Sequence, residues 1–207
     1  MTAMKPDDYI LFFDTETSGF VQKDFPPEHP GQPHLVQLGA ILATSSGKEV
    51  TCVDLVIRPP KGFQIPDGAA KTHGITTELA NAIGIPLASA MSVFLQLRAN
   101  CSEIVAFNSD FDDLVMKAAI ARLGVTPSHP GPGKLTCCMR AAEPVMKLPP
   151  TARMKATGYG DKFKAPNLQE AYKFFVDDKG FEGAHSALVD ARATMQVYFA
   201  MKAQGSL

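Results

Sequence analysis

The sequence predicts an α/β fold: a mixed five-stranded sheet flanked by helices. Two observations carry this. Two apolar runs, 34–44 and 50–57, are separated by a short polar turn at 45–48, which favours an antiparallel hairpin. Downstream, helical and extended patterns alternate, which argues for crossovers that place later strands parallel to the first. The 207 residues suit one domain by size, and they can bury a core without staples.

Residues 9–13 form a short apolar run that ends at Asp14 and reads as a buried strand. Residues 25–33 hold four prolines and a glycine, so the segment 21–33 is a proline-rich loop. Met91, Phe94, Leu95 and Leu97 recur at helical spacing within 88–99. A fourth strand is expected at 103–107, and a helix at 112–123 that Gly124 stops. A fifth strand is expected at 134–138, and helices at 168–176 and 186–202. The stretch 148–166 has three prolines, two glycines and four basic residues against one acid, and reads as a basic loop. The domain core is expected over about 9–202 of a single domain 1–207.

Composition excludes several classes. Hydrophobic residues at 45% and charged residues at 20% rule out wholesale disorder. No apolar run approaches the roughly 18 residues of a membrane span. The start, MTAMKPDDYILFFD, places an acidic pair before the apolar run, unlike a secretion signal. Cys52, Cys101, Cys137 and Cys138 include no C-x-x-C pair and read as reduced thiols rather than zinc ligands. A cytoplasmic location follows as an expectation. The net charge of −1 excludes a bulk polycation, so nucleic-acid affinity would need a local basic patch or metal ions.

The informative residues are acids at strand ends. Asp14 and Glu16 are two apart on an extended segment, so both face one side. Paired carboxylates repel unless a cation sits between them, and a hard divalent ion suits oxygen ligands. A second cluster, NSDFDD at 108–113, follows the fourth strand, with Asp112 opening the next helix; capping is the alternative there. A third, HSALVD at 185–190, enters the last helix, where His185 can swing over the same site as Asp190.

Taken together, FDTETSG, FNSDFD and HSALVD resemble the three motifs of the DEDDh 3'–5' exonucleases, the group of the DNA polymerase III epsilon subunit, ribonuclease T and exonuclease X. LVQLGAIL, KTHGIT and APNLQEAYKFF are also similar to family segments, so the resemblance covers about residues 9–200. It implies a ribonuclease H-like sheet. It implies that Asp14, Glu16, Asp112 and Asp190 hold two divalent ions, Mg2+ or Mn2+, and that His185 is the general base. Thr15 and Thr17 would line the terminal nucleotide's pocket, edged by Asn108 and Phe111. His73 of KTHGIT could approach the site, although a loop histidine is more often structural, and Lys162 and Lys164 could meet the strand's phosphates.

There are departures: Phe107–Asn108 replaces the family's His-Asn, the proline-rich insertion could alter access, and the long tail by which the epsilon subunit holds its polymerase is missing. The implied reaction is release of nucleoside 5'-monophosphates from 3' ends of DNA, single strands foremost. The same class acting on RNA, a phosphodiesterase for small nucleotides and a silent binding module are the alternatives. A homodimer and a polymerase or repair partner stay open.

Overall fold

The computed structural model describes residues 9–126 and 134–207. The acidic pair at 7–8 and His129 lie outside the described residues. Strand β1, Tyr9–Thr17, runs at the centre of the sheet. It pairs antiparallel with β2, Leu35–Thr44, which turns back as β3, Glu49–Val56. On its other side β1 pairs parallel with β4, Glu103–Ala106, and β4 with β5, Lys134–Cys137. The order is therefore β3-β2-β1-β4-β5, the mixed sheet expected from the hairpin and the later alternation.

Alternation along β1 divides the core. Ile10 and Phe12 pack with Ile41, Ala191 and Val197 on one face, while Leu11 and Phe13 pack with Phe94, Met91 and Val115 on the other. The first face carries α7 (Leu168–Phe175) and α8 (Ala187–Ala203); the second carries α3 (Leu87–Ala99) and α4 (Ser109–Leu123). Asp14 and Glu16 continue the α8 face. Thr15 and Thr17 continue the α3/α4 face.

The structure corrects the sequence reading in several places. β1 extends to Thr17, so Asp14 and Glu16 lie within the strand rather than after it. Helix α4 begins at Ser109, so Asp112 sits within its first turn rather than as its first residue. Segments left unassigned form the short helices α1 (Asp67–His73), α2 (Thr77–Ile83) and α5 (Cys138–Met146). His73 is thus the last residue of a helix, closed by Gly74 at φ 76°, and not a loop residue. The expected basic loop includes the one-turn helix α6, Ala152–Ala156.

The proline-rich segment is organised about one glutamine. Gln32 is buried, and its amide oxygen accepts the Gln22 N–H at 3.1 Å. Its amide nitrogen donates to the carbonyls of Gln22 at 2.9 Å and Phe25 at 3.1 Å. Arg122, at the end of α4, donates to the Pro33 and Gln32 carbonyls. An amide can satisfy several backbone groups that a proline-rich turn leaves unpaired, so the loop has a built shape. It leads directly back from the end of β1 to the start of β2.

Candidate active site

The acids meet at the C-terminal end of β1. In the β1–β2 ladder Asp14 lies opposite Gly39 and Glu16 opposite Gln37, and a register shift follows between Glu16 and Thr17. Bulges of this kind re-aim side chains at sheet ends. Asp112 reaches the same place from α4: its Oδ1 accepts the Thr15 N–H at 3.1 Å and the Thr15 hydroxyl at 2.7 Å. Asp190 arrives on the first turn of α8. Its Oδ2 accepts the His185 N–H at 3.0 Å, and this bond spans the turn in which His185 adopts φ 69°.

The electrostatics report crowding. Burial raises the Asp14 carboxyl well above its ordinary range, and Asp112, Asp190 and Glu16 raise it further. Glu16 is pushed up to about 7, by burial first and then by Asp190 and Asp112. Asp112 is likewise pushed up to about 7 by burial, against the opposing hydrogen bonds from Thr15. Asp190 is raised by burial and opposed by the His185 N–H and imidazole. Four carboxylates thus share a region poor in compensating charge.

Among the described residues, Glu16, His185 and Asp190 bring ligand-type atoms within 4.8 Å of one another. Asp190 Oδ1 is buried with no hydrogen-bond partner. A buried unpaired carboxylate oxygen is costly, and a hard divalent cation satisfies it. The donor set fits such an ion. Asp14 and Asp112 stand outside that tight trio but are coupled to it by charge.

A stability prediction follows. These groups titrate higher in the folded chain than in the unfolded one, so their protonated forms favour folding. That contribution is present below about pH 4 and is lost as pH rises through about 7. In EDTA, Tm is expected to fall between pH 5 and pH 8, and millimolar Mn2+ to reverse the fall at pH 8. Scanning calorimetry showing a flat EDTA profile, or no response to Mn2+, would contradict the crowding described.

Beside the acids lies a cleft of about 390 Å3, within the range of small-ligand sites. Thr15, Thr17, His73 and Phe111 line it, as does Phe20. The Thr15 hydroxyl is committed to Asp112, and that of Thr17 to the Gly19 carbonyl at 2.7 Å. His73 Nδ1 accepts the Ile75 N–H at 3.1 Å, so the neutral ring carries its proton on Nε2, which is buried toward the Thr17 backbone. Burial, with a smaller push from His185 and opposed by the Thr17 backbone, lowers the His73 pKa and keeps the ring neutral.

Three residues expected at the site do not line this cleft. Asn108 is the exposed N-cap of α4 and does not line the cleft. Lys164 Nζ is engaged by Glu170, which also accepts the Asn167 N–H in the capping box of α7. Lys162 is exposed on the 148–166 segment and does not line the cleft. Sequence reasoning passed over Phe20, which is 92% exposed at the cleft. The available signal was an aromatic directly after Ser18–Gly19, where nothing in the pattern calls for a core residue.

Comparison with known proteins agrees with this architecture. No curated protein sequence matches. Among solved structures, E. coli exonuclease I in complex with a dT13 oligonucleotide is similar at 21% identity and a TM-score of 0.74, covering 95% of this chain and 41% of that one. Exonuclease I from Methylocaldum szegediense is similar at 19% identity and a TM-score of 0.72, covering 95% and 40%. Both likenesses are of fold, and this chain spans about two-fifths of the length of those proteins. The family model of the RNase_T exonucleases matches residues 11–198, a range that includes all four acids, from β1, α4 and α8. The chain therefore belongs to the RNase_T exonuclease family, the DEDD 3'–5' exonucleases, which are phosphodiester hydrolases.

Proposed function

We propose that this chain is a metal-dependent exonuclease that removes nucleoside 5'-monophosphates from 3' ends of single-stranded DNA. The observation that carries the reading is the convergence of Asp14, Glu16, Asp112 and Asp190 with His185, beside a cleft sized for a nucleotide. The family uses metal ions. The four carboxylates would hold two divalent ions, Mg2+ or Mn2+, whose charge balances theirs. Bound there, such ions lower the pKa of water and stabilise charge on phosphate oxygens.

The chain's own residues divide the remaining work. His185, exposed at the mouth of the acid cluster, accepts a proton from the attacking water at its free imidazole nitrogen. Asp190 orients it by accepting the backbone N–H of the same residue. His73 lines the cleft beside Thr17, where its neutral ring would form part of the terminal nucleotide's wall. Phe20 presents an open ring face, on which a base stacks irrespective of sequence. Stacking needs an unpaired base, which favours single strands. The dT13 oligonucleotide held by the similar E. coli structure supports DNA as the polymer.

The test uses 5'-labelled single-stranded DNA, RNA and duplex DNA of one sequence with Mg2+, Mn2+ or EDTA. A ladder shortening from the 3' end, absent in EDTA and fastest on single-stranded DNA, is the expected result. Faster digestion of RNA would move the substrate to RNA, because the discriminator is the terminal 2'-hydroxyl. No digestion of any polymer would overturn the exonuclease reading. In the same assay Phe20→Ala is expected to raise KM at least about fivefold with kcat little changed, since base–aromatic stacking contributes roughly 1–3 kcal/mol. An unchanged KM would remove Phe20 from the substrate path.

A further inference from the structure

The N-terminal turn of α8 carries both His185 and Asp190, yet its own cap residue does not hold it. Ser186 occupies the N-cap position and makes no side-chain capping bond. The first helical N–H, that of Ala187, is instead accepted by Gln37 Oε1 at 3.1 Å, across 150 residues of sequence. Helix N-termini leave such donors unsatisfied, and here a strand supplies the acceptor.

Gln37 is well placed for this. It stands directly opposite Glu16 in the β1–β2 ladder, so both side chains share one face of the sheet. It is 7% exposed. Its Nε2 donates to Asp54 Oδ1 at 2.7 Å, from β3. An ionised carboxylate can only accept, so Asp54 fixes which end of the amide faces it. The oxygen is thereby turned toward Ala187. A flipped amide would set N–H against N–H at the helix start and oxygen against oxygen at Asp54.

We propose that Gln37 is a positioning residue for the acid cluster, and that Asp54 orients it. The relay Asp54–Gln37–Ala187 sets the distance between the turn that bears His185 and Asp190 and the strand that bears Glu16. Glu16 and Gln37 are neighbours on the sheet, so the same strand pair locates both halves of the trio. The proposal deepens the metal-dependent reading above and rests on it for its effect on rate.

Gln37→Met keeps length and removes both hydrogen bonds, and Asp54→Ala removes only the orienting carboxylate from an exposed position. Each purified chain is assayed in three ways. The first is kcat and KM on a 5'-labelled dT oligonucleotide. The second is the Mn2+ concentration at half-maximal thermal stabilisation. The third is amide hydrogen exchange over residues 185–190. Groups that orient metal-site residues typically control activity or metal affinity by about 10–100-fold. Gln37→Met is therefore expected to lower kcat at least about tenfold with KM within about twofold. It should also raise the Mn2+ midpoint and speed exchange at the start of α8. Asp54→Ala is expected to shift the same readouts in the same direction by a smaller factor, with Tm almost unchanged.

A merely structural role would lower Tm but leave kcat and the Mn2+ midpoint alone at temperatures where the protein is folded. That result in either folded variant overturns the proposal. Should Gln37→Met not fold, Asp54→Ala decides the matter by the same criteria. Should the wild-type chain not hydrolyse the oligonucleotide, the exonuclease reading fails. The Mn2+ midpoint and hydrogen exchange still test the relay in that case.

Discussion

Asp14→Asn is expected to cut hydrolysis roughly 10³-fold or more while raising the stability of the metal-free protein. A thousandfold loss corresponds to about 4 kcal/mol at 1.36 kcal/mol per tenfold, within what a lost metal ligand removes. The stability effect has the opposite sign for an electrostatic reason. Asp14 is raised by burial and by three neighbouring carboxylates, so its ionised form opposes folding at neutral pH. An amide of the same shape removes that charge and relieves Glu16, Asp112 and Asp190 together. At pH 7.5 in EDTA, Tm should rise, at roughly 2–4 °C for each kcal/mol in a chain of this size. The Mn2+ response should shrink at the same time. Calorimetry and the labelled-end assay on one preparation check both halves. Lost activity with lowered Tm would mean that Asn disrupts the fold, and retained activity would remove Asp14 from the site.

Gly39→Ala is expected to destabilise the fold by about 3 kcal/mol or more and to disable the site together with it. A Cβ at Gly39 would stand 2.2 Å from the Ala187 carbonyl carbon and from Leu188 N, and 2.4 Å from the Ala187 oxygen. All three are backbone atoms, so no rotamer change relieves the overlap. Helix α8 therefore rests directly on the β2 backbone, opposite Asp14. Making room requires α8 to lift from the sheet. Overpacking in a dense core costs typically about 1–3 kcal/mol and occasionally more. A displacement near 1 Å at reacting groups can cost about 100-fold in rate. Urea unfolding and kcat on the dT oligonucleotide are the measurements. Wild-type values for both would show that α8 does not sit on Gly39 as described.

These two residues differ in how far they can be read from sequence. The D-x-E spacing of Asp14 and Glu16 puts both carboxylates on one face of a strand by the period-2 geometry alone, whatever follows. Gly39 carries no such message. In LVQLGAILAT it looks like an ordinary weak point of an apolar strand, and only the approach of a helix from about 150 residues away gives it a purpose. Gln37 is the same kind of case, a polar residue in an apolar strand whose partners lie on β3 and α8.

His185 lies between these extremes. Its place just ahead of the last helix, from which it can swing over the same site as Asp190, is plain from the pattern. The left-handed backbone at φ 69° and the closure by Asp190 Oδ2 belong to the folded turn. Lys164 pairs with Glu170, which also caps α7, and its basic surroundings in the sequence carry no sign of that partner. The helices α1, α2 and α5 were missed because they are short or begin beside prolines and turns, where periodicity has too few residues to show.

What the sequence determined by itself is therefore local: where the longer strands and helices run, that β2 and β3 form a hairpin, and that Asp14 and Glu16 share one face of a strand. These follow from periodicity, turn chemistry and the pairing of neighbours in the chain. The tertiary structure alone decided that β4 enters beside β1 and that Asp112 comes in from the opposite face to meet Thr15. It also decided that α8 is tethered by Gln37 against Gly39. Those contacts join residues about 90 to 150 positions apart. Their geometry is set by how whole layers pack, a quantity that no local pattern in the chain contains.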